Sequence, residues 1–395
     1  MFRRKSNGQV LNEAGVLGAG GEARVVFVRE APDLVAKIYH APTPTHARKI
    51  AAMIANPPED PMAGKGHASI AWPLDVLETT DRARGFVGYL MTRVHDVRPI
   101  IDVYNPKTRR QRCPLFNYYY LHRTARNLAA AFHALHQRGY VVGDVNESNI
   151  LIHQKALVTL VDTDSFQVRE PDGKWVHRCP VGTPQFTPPE LQGKPFSSLD
   201  RSPEHDSFGL AVLLFQLLME GAHPFAGRYT GRGEPPPYEA RISQGAFPHH
   251  PAGRGLYLPM PVALPFEVLD PRLRELFVRC FVDGHRDPTL RPDARTWLRT
   301  LTETEKGLVK CVQNPQHQFG HHLGTCPWCE RASRLKGLDP FPSVERVKRR
   351  LHLQPIPAVP PLQPRSSPPP PLPSSAPTTR RTLASLARSL RAWNT

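Results

Sequence analysis

Lys37, Asp144, Asn149 and Asp162 have the side-chain types and order needed to handle a phosphorylated ligand. Lys37 lies in "LVAKIYH", an otherwise apolar strand-like run, where an ammonium group needs an anionic partner. Upstream, "VLGAGGEARVVFV" sets Gly18, Gly20 and Gly21 between strand-like segments. Glycines let a tight turn bring backbone N–H groups against phosphate oxygens without a Cβ clash. A phosphate held there would supply the partner Lys37 needs. The bland alternatives are a plain β-turn and an edge-strand lysine that reaches solvent. In "VVGDVNESNILI" Asp144 is followed by Asn149, and "LVTLVDTDSFQV" brings Asp162 just after an apolar run. Asp144 and Asn149 could be a hydrogen-bonded turn, or a base and a metal ligand at a fixed separation. Mg²⁺ takes few carboxylates plus substrate phosphates, which suits Asn149 and Asp162 as its ligands.

A second cluster has metal chemistry. "CVQNPQHQFGHHLGTCPWCE" contains Cys311, His317, Cys326 and Cys329, four N/S ligands that match tetrahedral Zn²⁺. His321 or His322 could stand in for His317. The competing reading is a redox pair at Cys326 and Cys329, which lacks a thioredoxin-like strand–helix context. With no open position implied, the zinc is expected to be structural.

These residues need elements to hold them. Residues 10–95 read as short strands, such as "VVFVRE" and "LVAKIYH", with one helix in "THARKIAAMI". From about residue 115 the chain turns helical. Leu121, Ala125, Leu128, Phe132 and Leu135 share one helix face, and Gly139 is a C-terminal stop. "FGLAVLLFQLLM" is too short to span a bilayer and reads as a buried helix. The expected architecture is α+β: a β-rich lobe at 10–95, an α-rich lobe at 96–305, a zinc-binding module at 306–335 and a tail at 336–395. Pro355–Pro377 holds 11 prolines in 23 residues, which implies extended or disordered chain. "TRRTLASLARSLRAWNT" could form a basic amphipathic helix touching an acidic partner or a membrane surface.

The formal net charge of +16 over 395 residues is uneven. The last 65 residues carry 12 Lys/Arg against 2 Asp/Glu, so the basic signal belongs to the tail and argues against nucleic acid as the main partner. No apolar segment follows "MFRRKSNGQV", so no signal peptide is read. Cys113, Cys179 and Cys280 are isolated while the other three cysteines cluster, which suggests a reducing compartment and a cytoplasmic protein.

The order of glycine loop, strand Lys, Asp-x-x-x-x-Asn and Asp after an apolar strand resembles eukaryotic-like protein kinases. "VGTPQFTPPELQG" looks like the end of an activation segment, with Pro189 and Glu190 in the Ala-Pro-Glu positions. "HDSFGLAVLLFQLLMEGAHPF" looks like the helix that anchors the large lobe, with Asp206 at its start, and Arg291 in "DPTLRPDARTW" is the usual partner of Glu190. The resemblance covers residues 10–303 and implies a bilobal protein-kinase-like fold. It implies that Lys37 binds ATP phosphates, that Asp144 takes the hydroxyl proton, and that Asn149 and Asp162 hold Mg²⁺. Gly18, Ala19, Gly20, Gly21, Glu22 and Val25 would line the nucleotide site. Thr183 stands where Ser/Thr kinases keep a threonine, favouring serine or threonine as acceptor.

The departures are specific. Val142 and Gly143 replace the usual His and Arg before the catalytic Asp, leaving an activation-segment phosphate without an obvious cationic dock. Switching is therefore expected not to depend on phosphorylation there. Asn146 replaces the usual loop Lys, and Asp162-Thr163-Asp164 replaces Asp-Phe-Gly. Asp164 would add a second carboxylate or, slightly preferred, tolerate a left-handed backbone. No Asp or Glu lies between Leu34 and Pro58, so the helix cannot supply the usual Glu for Lys37. Glu22 could reach down instead, or simply face solvent. "VDTDSFQ" and "TPPELQG" look like a bacterial subgroup with a C-terminal zinc module. That resemblance implies association with tellurite-resistance-type von Willebrand A proteins and a metal-dependent protein phosphatase. The competing function is a pseudokinase scaffold that binds nucleotide and partners without phosphoryl transfer.

Overall fold

In the computed structural model, residues 1–353 apart from residue 254 are described. The Pro-rich stretch and the basic terminal helix expected after it lie outside the described residues. The small lobe is a seven-stranded antiparallel sheet in the order β2-β1-β6-β7-β5-β4-β3. Its strands are β1 (Phe2–Arg4), β2 (Val10–Leu11), β3 (Glu13–Ala19), β4 (Ala23–Val28), β5 (Leu34–Tyr39), β6 (Pro73–Glu78) and β7 (Phe86–Thr92). The lobe thus begins at residue 2, not 10, because β1 pairs with β6 and extends the sheet.

Side chains alternate across a strand, and β5 shows what that does. Ala36 joins Val26, Val28, Leu77 and Leu90 in a small core on one face. Val35 and Tyr39 bury themselves on the other face with Ile50 and Met53 of the Pro44–Ala55 helix. Lys37 shares the parity of Val35 and Tyr39, so it is directed to the helix side.

A three-stranded sheet joins the lobes: β8 (Val97–Pro99), β9 (Ile150–His153) and β10 (Val158–Leu160), in the order β10-β9-β8. The large lobe is built on three helices. The Tyr118–Gln137 helix starts at Asn117, whose side chain accepts from the Tyr120 N–H, and stops before Gly139, which has φ +77°. The Pro203–Leu218 helix is apolar all round and buried from Asp206 to Leu218, as a central helix must be. The Ala294–Lys306 helix packs against the first of these. Arg291 then grips Glu190 with two hydrogen bonds of 2.6 and 2.7 Å. Its side chain is wholly buried, so this bidentate pair ties the activation segment to the lobe's base.

The Cys/His segment is a hairpin of Leu308–Lys310 and Gln318–Gly320 followed by the Pro327–Arg334 helix. It is packed onto the large lobe. Trp328 is fully buried, 4.8 Å from the Tyr118 ring and 4.8 Å from that of Phe341. Arg109 covers the Phe341 ring at 4.5 Å. The boundary expected at residue 335 therefore falls inside a packed segment: Phe341 and His352 are buried, and residues 336–353 form a strap across the large lobe rather than the start of a free tail. Among the described residues no helix is long and apolar enough to cross a membrane.

Candidate active site

The two lobes enclose a cavity of about 750 Å³. Gly18, Ala19, Gly20, Gly21, Glu22, Val25 and Lys37 line it from the small lobe, and Asn149 and Asp162 from the large lobe. The glycine turn is tight because the Gly20 N–H donates to the Ala23 carbonyl at 2.8 Å. The end of β5 pins it from below: His40 donates through its backbone N–H to the Glu22 carbonyl and through its ring to the Gly20 carbonyl. Val25 faces Lys37 in the β4–β5 register. The β9–β10 hairpin sets the large-lobe side, since the Val161 N–H donates to the Asn149 carbonyl at 3.0 Å and so fixes Asp162 beside Asn149. Asp162 leaves the hairpin in a left-handed conformation (φ 59°, ψ 36°), and its side chain is 47% exposed toward the cavity.

Lys37 settles the question of its partner. Its ammonium group donates to Asp162 and to Asp164, both at 2.5 Å. Glu22 is exposed and makes no such contact, so the proposed reach of Glu22 to Lys37 is not what the structure has. The preferred backbone role for Asp164 also fails. The left-handed residue is Asp162, and Asp164 is a buried carboxylate that accepts from Lys37, from Tyr39 at 2.5 Å and from Tyr89 at 2.9 Å. Burial alone would raise Asp164, but the Lys37 charge and these three donors hold it below its ordinary value. Burial likewise opposes the Lys37 ammonium, and the Asp164 and Asp162 charges outweigh it, keeping Lys37 charged. The counter-ion that related folds place on a helix comes here from the turn after β10.

The Pro44–Ala55 helix is positioned without that ion pair. Arg48 bonds Glu170 at 2.7 Å and lies over the Trp175 ring at 4.9 Å, both in the activation segment. His46 stacks on Tyr39 with centroids 4.5 Å apart. Lys49 of the same helix lines the cavity.

Asp144 does not line the main cavity. It sits in a small adjoining one shared with Asn146 and Asn149. Its carboxylate accepts from the Thr183 hydroxyl at 3.0 Å and from the Asn146 amide at 2.9 Å. Burial pushes Asp144 above the usual aspartate range, with the Thr183 hydrogen bond and the Arg201 charge pulling part of the way back. The loop carrying it hangs from Asp206, which accepts the Val142 and Gly143 N–H groups at 2.7 and 2.8 Å.

The Val-Gly departure has a steric cause. Gly143 has φ +75°, and a Cβ there would lie 2.8 Å from Cys179 Cβ and 3.0 Å from Arg201 Nη1. Arg201 occupies this ground. It is buried, stacks over Phe196 at 4.0 Å, and donates to the carbonyls of Cys179 and Val181. Gln167 brackets its backbone on both sides. An arginine does hold the activation segment, but it comes from downstream and grips main chain. Gly143→Ala is expected to lower stability by about 1–3 kcal/mol through backbone strain and that collision. Urea unfolding measures it, and an unchanged midpoint would show that Cys179 and Arg201 yield freely.

At the second site, the ligand atoms of Cys311, His317, Cys326 and Cys329 lie within 4.8 Å of one another. A single zinc ion with bonds of about 2.0–2.3 Å accommodates that spread. His317 is singled out by its neighbours: Nδ1 faces the thiols of Cys326 and Cys329 at 3.5 and 3.4 Å, and Nε2 meets Asp339 at 2.9 Å. A carboxylate behind the histidine fixes which nitrogen is free for a metal. His321 and His322 instead donate to the Gly307 and Glu267 carbonyls. Burial opposes ionisation of Cys311, yet the Asn314 and Gln313 N–H groups bring its thiol down to about 7.

Sequence reasoning missed Tyr39, Tyr89, Lys49, Arg201 and Asp339. Tyr39 was available, since it shares a strand face with Lys37, and Lys49 lies one helical turn before the inward Met53. Tyr89 and Arg201 gave no local signal.

Two lobes, a glycine turn over a cavity that Asn149 and Asp162 line from the other side, and Asp144 just beyond it make up a bilobal protein-kinase-like fold. Residues 91–235 match the protein kinase domain family model. The chain is similar to protein kinase YegI of Escherichia coli K12, 34% identical over 327 residues, which is 82% of this chain and 49% of that protein. YegI of Escherichia coli O157:H7 gives the same identity and coverage. The serine/threonine-protein kinase MRCK gamma of Mus musculus is 34% identical over 99 residues, 25% of this chain and 6% of that one. The chain thus spans about half the length of the bacterial relatives it matches.

Proposed function

We infer that the protein is an ATP- and Mg²⁺-dependent serine/threonine protein kinase acting in a bacterial signalling or stress-response system. The observation that carries this reading is the single cleft. It joins the glycine turn, Lys37, Asn149 and Asp162, with Asp144 fixed just beyond by Thr183. Asn149 and Asp162 would hold Mg²⁺, which when bound neutralises phosphate charge. Asp162 is half exposed toward the cavity and Asn149 lies beside it, so the donor set suits an oxygen-seeking ion. Asp144 would accept the acceptor hydroxyl's proton while Thr183 keeps its carboxylate aimed. Catalysis would then consist of positioning and charge stabilisation. The Cys/His cluster would hold a structural zinc. Arg201 already holds the segment through Nη2, which donates to the Cys179 and Val181 carbonyls, and this supports activation without phosphorylation of the segment. An ATP donor and a reducing environment for the thiols fit a cytoplasmic setting.

The test is to incubate the purified chain with Mg²⁺ and γ-labelled ATP. Candidate acceptors are a von Willebrand A-domain protein and a metal-dependent protein phosphatase, each added separately. Label on serine or threonine, in the chain or an acceptor, is the expected result. Nucleotide binding with no label on any protein would establish the scaffold reading in its place.

A further inference from the structure

The geometry points to Lys49 as a second nucleotide-phosphate ligand, placed on the Pro44–Ala55 helix, which carries no acid. This rests on the nucleotide-binding part of the function proposed above. Three cations line the cleft: Lys37, Lys49 and Arg178. Lys37 is spent on two carboxylates. Arg178 is spent on Asp200, at 2.8 Å. Lys49 makes no hydrogen bond or ion pair among the described residues, although it lines the same cleft as the glycine turn and Asp162.

Its placement follows from the helix. Met53 and Ile50 face the sheet and are fully buried, and Lys49 precedes Met53 by one turn. The side chain is therefore drawn along the helix flank into the cleft rather than out to water. Arg48–Glu170 and His46–Tyr39 lock that flank in place, so the ammonium group is presented by a fixed scaffold. Burial pulls Lys49 below its ordinary value, with only partial relief from Asp164. A partly buried cation without a hydrogen-bonded partner is costly, and an incoming anion removes that cost.

The charge inventory says which anion. Three carboxylates line the cleft, Glu22, Asp162 and Asp164, against the three Lys and Arg side chains, with the imidazoles of His46 and His177 beside them. A triphosphate needs an uncommitted positive group here, and Asn146 stands where a loop lysine usually provides one. Lys49 restores that charge from the opposite lobe. An acid on this helix is not needed for Lys37, whose counter-ions the Asp162–Asp164 turn already supplies.

Equilibrium titration of the whole chain, treated beforehand with phosphatase so that no protein phosphate can occupy Lys49, tests this. Wild type, Lys49→Ala and Lys49→Arg are titrated with Mg-ATP and with adenosine. Loss of a charge-assisted hydrogen bond predicts Mg-ATP binding weakened roughly tenfold or more in Lys49→Ala. Adenosine affinity should be unchanged, and Lys49→Arg should recover most of the ATP loss. Unchanged ATP affinity in Lys49→Ala, or an equal loss for adenosine, overturns the assignment. If wild type binds ATP in this pattern but labels no protein, the kinase reading fails and the role of Lys49 stands. If wild type does not bind ATP, both fail.

Discussion

Asp144→Asn is expected to cut phosphoryl transfer by about 10²–10⁴-fold while leaving Mg-ATP affinity within about twofold, because a positioned base contributes that much and no more. The split follows from where Asp144 stands. It is outside the cleft that the glycine turn and Lys37 line, so nothing in nucleotide binding depends on it. Asparagine keeps the shape and an oxygen for Thr183 to donate to, so the fold should hold. What it loses is the capacity to take a proton. The pH profile carries a second expectation. The base works as the carboxylate, so activity falls as pH drops through its pKa. Burial raises that pKa, so the acid limb of the rate should lie above the usual aspartate range. The measurements are initial rates of label transfer against pH, with nucleotide titration in parallel. A variant that loses ATP binding and transfer together would place Asp144 among the structural residues instead.

The split between what was legible and what was not follows the range of the interactions. Lys37, Asp144, Asn149 and Asp162 could be picked out because each sits in a strand or turn whose local pattern is plain. The kinase-like order supplied the rest. Asp164 was misjudged because its role is set by Tyr39 and Tyr89 across the β5–β7 pairing, where Lys37 faces Tyr89. No local rule gives a strand's neighbour. Gly143 looked like a missing arginine. Only the fold shows that Cys179 and Arg201, far along the chain, fill the space a side chain would need. The choice among His317, His321 and His322 had the same cause, since Asp339 makes the decision from within a segment assigned to the tail. The end of the packed structure was missed because a few scattered residues carry it, Phe341 chief among them and His352 further on. A single aromatic between Asp339 and a basic run leaves no periodic trace, yet it is almost fully buried.

That strap sets the largest stability effect expected in the molecule. Cys329→Ser should abolish binding of one zinc ion per chain and release the segment from Leu308 to Leu353 from the large lobe. Structural zinc sites in small peptides are worth about 10–16 kcal/mol at neutral pH, so the hairpin and its short helix have little else to fold on. The consequence reaches further because the module is buried against the kinase domain. Trp328 donates to the Gln318 carbonyl at 2.6 Å and stands between Tyr118 and Phe341. Losing a buried tryptophan contact of this kind costs about 3–5 kcal/mol, which the Tyr118–Gln137 helix would feel at its first turn. The Asn117–Gln316 and Arg331–Glu220 contacts would go with it. The checks are metal content of the purified chain, tryptophan emission and the thermal midpoint. Wild type should hold one zinc, and Cys329→Ser none, with red-shifted emission and a lower midpoint. Asp339→Asn should keep the four ligands yet bind zinc about 10–100-fold more weakly, since it removes only the carboxylate that orients His317. Thiol titration guards against the redox reading: a disulfide in place of metal would leave fewer free thiols in wild type than in the variant's remaining pair. A zinc-free wild type with a normal midpoint would sink the idea.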